Sequence, residues 1–156
     1  MFLELIDRIV QHLSVRTSEI FLEFNNTDWK DEIFNEYFYT KTDLGEVLRE
    51  MIRLLTLPEI MPVFQRHLDE AMTIAQSNPN NVLAFVNLHG VFTALEQVTR
   101  LVQIDELEHI SGVLKIAWSL PYEQYLAFRM ITLDMIENLA YIVNEKKIKD
   151  LGDGHT

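Results

Sequence analysis

Residues 31–55 read DEIFNEYFYTKTDLGEVLREMIRLL, and the fold class follows from how this stretch is patterned. In its first half, Ile33, Phe34, Tyr37 and Phe38 recur at i, i+1, i+4 and i+5. That spacing puts four large side chains on one helical face. In its second half, Thr42 is an N-cap candidate and Asp43 falls in the first turn, where the helix dipole favours a carboxylate. Leu44, Val47, Leu48, Met51, Ile52 and Leu55 then form one apolar stripe. Off that stripe lie Glu46–Arg49 and Glu50–Arg53, two opposite-charge pairs at i,i+3. Two apolar faces this close in sequence need partners.

Toward the N-terminus, Phe2, Leu3, Ile6, Ile9, Val10 and Leu13 predict a helix over about Phe2–Leu13. A continuation through Ile20 and Phe24 ends at the break Asn25-Asn26-Thr27-Asp28. Trp29 anchors the aromatic helix, which ends near Thr40. Toward the C-terminus, Thr56-Leu57-Pro58 separates the Thr42–Leu55 helix from one reaching about Gln76. Its predicted buried face is Ile60, Val63, Phe64, His67, Leu68, Ala71 and Met72, with Pro58 and Pro62 near the start, where a missing N–H costs little. Ser77–Asn81 is a loop.

A long helix is predicted over about Val82–Gln103, with Phe85, Val86, His89, Phe92, Leu95 and Val98 on one side. Gly90 sits in its middle, at a cost of about 1 kcal/mol relative to Ala. A helix over Asp105–Trp118, the turn Ser119-Leu120-Pro121 and a last helix over about Tyr122–Glu145 follow. The expected organisation is one all-helical unit over residues 1–145, of about seven helices, with residues 146–156 as a frayed polar tail.

The short turns predict antiparallel pairs, notably Thr42–Leu55 with Pro58–Gln76 and Asp105–Trp118 with Tyr122–Glu145. Helices with wide apolar surfaces pack on both sides, as in stacked helical hairpins. No fixed-period repeat separates a solenoid from a compact bundle, so both remain open.

Lys and Arg number 13 against 24 Asp and Glu, a formal charge of −11. Such a surface repels phosphate backbones and suits a basic protein partner better than direct nucleic-acid contact. The absence of cysteine removes disulfides, thiolate metal sites and a thiol nucleophile, which fits an intracellular protein. Glu4 and Asp7 interrupt the first apolar segment, unlike a signal peptide. No apolar run reaches the roughly 18 residues a membrane span requires, so a soluble chain without membrane contact is expected.

Catalytic, cofactor and metal residues are all expected to be absent. Glu106-x-x-His109 matches half of a di-iron site, but no second Glu-x-x-His exists, and Leu107 and Ile110 mark the buried side. His12, His67, His89, His109 and His155 are scattered, and His67 and His89 read as core or boundary residues. Asp28, Asp31 and Glu32 lack the alternating oxygen ligands and turn glycine of a calcium loop. Neither a phosphate-binding glycine loop nor a nucleophile elbow is present. These patterns predict a protein that is not an enzyme.

Asp31, Glu32, Phe34, Asn35 and Phe38, then Gly45-Glu46-Val47 with Arg49, resemble the importin-β (karyopherin) superfamily of transport receptors, most of all its exportin-five-like branch. Leu95-Glu96-Gln97-Val98, the Ser119-Leu120-Pro121 turn and the Tyr122–Asn144 helix follow in a similar order, so the resemblance covers about residues 28–145. Receptors of the transportin-three and importin-thirteen type share that helix order. The resemblance implies HEAT (armadillo-like) repeats in a curved solenoid that holds cargo and Ran-GTP on its inner surface, in nucleus and cytoplasm. Such receptors are several times longer, so it also implies a segment of one. It assigns no contact residues to this chain.

Overall fold

The computed structural model describes residues 1–12, 43, 45–120 and 125–153. The chain is all-α. The described residues form the helices α1 (residues 2–12), α2 (residues 45–53), α3 (Leu57–Ser77), α4 (Val86–Thr99), α5 (Leu107–Trp118) and α6 (Leu126–Asp153). Single 3-10 turns, Val82–Phe85 and Ile104–Glu106, lead into α4 and α5, and no strand occurs among the described residues. The aromatic face Ile33–Phe38, Trp29, the continuation through Phe24 and Leu44 lie outside the described residues, so those expectations are left as they stand.

Local chemistry explains the helix starts. Thr56 is extended, and the Glu59 carboxylate accepts hydrogen bonds from its backbone N–H (2.7 Å) and its hydroxyl (3.0 Å). This is a reciprocal cap on an N-terminus that otherwise leaves donors unmatched. The same two bonds, the backbone one foremost, hold the Glu59 carboxyl below its ordinary range. Asn81 accepts from the Leu83 N–H at 3.1 Å and opens the 3-10 turn, while Glu106 accepts from the Gln103 N–H at 3.1 Å and opens the next. The predicted Val82–Gln103 helix is therefore shorter: it begins as a 3-10 turn, and its α-helix ends at Thr99.

α4 is the axis of the core. Every residue of it except Asn87 is buried, including Thr93, Glu96, Gln97 and Thr99. A helix enclosed on all sides needs neighbours on all sides. α3 and α6 are its principal neighbours, and α3 also packs on α5. α3 contributes Ile60, Phe64, Leu68, Ala71 and Ala75 to the core, and α6 contributes Ala127, Phe128, Ile131, Met135 and Ile142. Phe85, Tyr125 and Phe128 form an aromatic cluster with centroids 5.0–6.2 Å apart, and His89 meets Phe128 edge-on at 5.9 Å.

These contacts give directions. The early α4 residues Asn87 and Val91 line a cleft with His67 and Ile74 of α3, while Leu101, just past α4, lines another with Leu57 at the start of α3. α3 and α4 are therefore antiparallel. His89 meets Phe128, and ten residues further along each helix Thr99 meets Asn138. α4 and α6 therefore run the same way.

Three expectations change. The pairing of α5 with α6 is not among the principal packings, because α5 rests on α3 and α6 on α4. The last helix continues through 146–153 to Asp153 instead of fraying after Glu145. Lys146, Lys147, Lys149 and Leu151 are good helix formers, and no Gly or Pro intervenes before Gly152. Finally, Val82–Thr99 is long and apolar enough by length and composition to cross a membrane: Asn87, His89 and Thr93 interrupt the apolar residues without adding charge, and Glu96 is its one carboxylate. Within this fold 83% of that segment is buried inside the protein, as a core helix is.

Candidate interaction surface and the polar latches behind it

Two polar latches tie the helices together. In the first, Glu96 of α4 is 0% exposed. Its carboxylate accepts from Arg100 Nε at 2.9 Å, from Asn138 Nδ2 of α6 at 3.3 Å and from the Gln97 amide. Gln97 in turn accepts from the Arg49 guanidinium of α2. Asn138 also donates to Thr99 Oγ1 at 3.0 Å, and that hydroxyl donates to the Glu96 carbonyl at 2.6 Å. A buried charge is tolerated when it is paired and its lone pairs are matched, and these partners supply both.

Gly45 makes the α2–α4 approach possible. A Cβ built there would lie 2.6 Å from Gln97 Oε1 and 2.7 Å from its Cδ, so no larger side chain fits while Gln97 stays in place. Gly45, Arg49, Glu96 and Gln97 thus meet at one point.

The second latch joins α1 to α3. The Asp7 carboxylate accepts from His67 Nε2 at 2.6 Å and from the Arg66 guanidinium. A carboxylate only accepts, so Nε2 carries the proton. Partial burial raises the Asp7 pKa, but the His67 and Arg66 hydrogen bonds outweigh it and hold the carboxyl below its ordinary value. Gln11, His67, Glu70 and Asn87 line an open cleft of about 270 Å³ beside this latch.

The third feature is an exposed apolar face. On α6, Leu133, Ile136, Ala140 and Val143 recur at helical spacing and are all exposed, opposite the core face of Phe128, Ile131 and Met135. Leu133 and Ile136, with Trp118 at the end of α5, border a groove of about 380 Å³ that also takes in Arg129 and Thr132. Trp118 is 52% exposed and Leu133 59%. The Thr132 hydroxyl is buried without a hydrogen-bond partner among the described residues. Arg129 leads the apolar stripe along the helix, and neither it nor the nearby Lys115 has an ion pair among the described residues.

The remaining predicted residues fall as follows. His67 and His89 are buried, the first in the Asp7 latch and the second against Phe128. Glu106 serves as the cap of the turn before α5, and His109 is exposed. No group of three or more His, Asp or Glu residues is placed to hold a metal among the described residues. The Glu96 latch is not legible in sequence, where Glu96 reads as one more surface acid. Its one sequence signal is that both faces of the 86–99 segment are otherwise uncharged.

No family model, curated protein or solved structure matches the chain.

Proposed function

We propose that this chain is a protein-binding segment of a HEAT-like α-solenoid, acting by contact and not by catalysis, of the kind found in exportin-like nuclear transport receptors that bind Ran-GTP and cargo. The observation that carries the reading is the order of packing. α1 is latched to α3, and α3 packs on α5. α2 is latched to α4, and α4 packs on α6 in the same direction. Among the described helices, α1, α3 and α5 thus group on one side and α2, α4 and α6 on the other, with α3 and α4 antiparallel between them. Such grouping supports a reading as stacked hairpins, in which each unit contacts chiefly its neighbours. In a closed bundle of consecutive antiparallel neighbours, α4 and α6 would instead sit diagonally.

The bare outer face of α6 fits the same reading, since a helix within a stack is apolar on two sides. The transport role itself rests on the residue resemblance and on a charge of −11, which favours a basic protein partner. The weak α5–α6 pairing favours a second reading, an all-helical adaptor outside transport with its own protein partner. The test is calorimetric titration of the chain with Ran locked in its GTP state and, separately, its GDP state. Weak binding to the GTP form alone supports the transport reading. Equal binding to both forms, or none to either, refutes it in favour of the adaptor.

A further inference from the structure

We propose that the outer face of α6 docks the outer face of α2 from a second copy of this chain, so that copies stack head to tail. This inference rests on the two-layer reading above. It names the occupant of the bare face from the chain's own surfaces.

Among the described helices, the two faces are opposite ends of one layer. In the layer α2–α4–α6, the inner side of α2 (Gly45, Leu48, Ile52) is buried and the inner side of α6 covers α4. What remains outside is Val47 on α2 and Leu54 in the turn just past its end, and Leu133, Ile136 and Val143 on α6. Val47 and Leu54 are two helical turns apart on one face, and Glu50 lies between them.

The charges are complementary although the protein as a whole is strongly acidic. Asp43, Glu46 and Glu50 surround Val47 and Leu54, with two cations near them, Arg53 beside Glu50 and the half-buried Arg49, which turns to Gln97. At the other end, Arg129 lines the groove of Trp118, Leu133 and Ile136, and the exposed Lys115 stands one helical turn before Trp118 on α5, while Glu137 follows Ile136 on α6. An acidic rim around two apolar side chains would meet a basic rim around an apolar groove. Complementary rims fix register and orientation, while the apolar centre supplies the association. The two faces differ, so the contact is heterologous. Such contacts propagate into open arrays unless the rotation closes a ring.

The experiment is sedimentation velocity on the full chain over a wide concentration range, at low and high salt. The expected result is a weight-average mass that climbs past the dimer with concentration and falls with added salt. Arg129→Glu alone and Glu46→Arg alone should each weaken association by about tenfold. The chain carrying both substitutions should regain it, because each altered face then meets its altered counterpart. Ile136→Asp should abolish association even where circular dichroism shows the helices intact.

A parent chain that stays monomeric throughout overturns the proposal. So does a dimer that stops at two copies, or a double variant no better than either single one, as a symmetric α6–α6 contact would give. The Arg129→Glu monomer can still be titrated with Ran-GTP, so failure here and failure of the proposed function are read separately.

Discussion

Replacing Gly45 with alanine should destabilise the protein, although the same change inside an unobstructed helix stabilises it. Ala is favoured over Gly in a helix by about 1 kcal/mol. Here the new methyl would sit 2.6 Å from Gln97 Oε1 and 3.1 Å from its Cγ, so Gln97 must move. Its end is not free to move. The amide accepts from Arg49 and donates to Glu96, which is fully buried. Hydrogen bonds involving a charged group contribute roughly 1.5–3 kcal/mol each. Losing one outweighs the propensity gain by about 0.5–2 kcal/mol, and losing both by about 2–5 kcal/mol. The clash disappears if Gln97 is first truncated. In the Gln97→Ala background, Gly45→Ala should therefore stabilise by about 1 kcal/mol, its full propensity value. Urea unfolding of the four proteins in a double-mutant cycle gives the coupling directly. Gly45→Ala stabilising the parent, or an equal effect in both backgrounds, would refute the close α2–α4 approach.

The core reading predicts that Phe92→Ala, at a position 0% exposed, lowers the unfolding free energy by about 3–5 kcal/mol in urea titrations. A loss under about 1 kcal/mol would contradict its burial. The Asp7 latch predicts a pH dependence. Its carboxyl pKa is lowered in the fold, so its stabilisation is present above the ordinary value of about 3.9 and is lost as pH falls through the folded value. Asp7→Asn should accordingly be less stable than the parent at neutral pH, with the gap closing in acid; a constant gap would argue against the latch. Glu106 is expected to cap and not to ligate. Protein purified without chelator should hold no stoichiometric iron, manganese or zinc by elemental analysis, and one equivalent lost on His109→Ala would reverse this.

Much of α3 is legible from spacing. Ile60, Phe64, His67, Leu68 and Ala71 recur with the helical period and are buried as expected, while Val63 and Met72 lie half-buried at the edge of the face. Its start is read one residue late, at Pro58, where the Thr56–Glu59 capping-box spacing marks Leu57 as the first helical residue. α4 is only half legible. Periodicity finds one apolar side, with Phe92 and Leu95, but not that Thr93, Glu96, Gln97 and Thr99 are equally enclosed. Their partners Arg49 and Asn138 lie 48 and 42 residues away in sequence, beyond any local pattern. The exposed stripe of α6 is hidden for the opposite reason. Leu133 and Ile136 look like core residues, and only the position of α4 decides which of the two apolar sides of α6 turns inward. The turn Ser119–Pro121 signals a reversal, but a short turn does not determine how tightly the helices on either side of it pack.

The enclosure of α4 has a consequence for how the molecule is made. During synthesis this helix emerges well before α6, whose Asn138 donates to Glu96 and whose Phe128 covers His89. Until α6 arrives, the nascent chain carries an uncovered apolar flank with an acid in its middle. The earlier helices can form their local hydrogen bonds, but the central one cannot settle. Cooperative closure must therefore come late, and the first two-thirds of the chain should favour chaperone contact while it waits. Once closed, the order of opening reverses. α4 amides should exchange with solvent only through whole-molecule unfolding, whereas the exposed flank of α6 and the outer side of α2 should exchange through smaller, local openings.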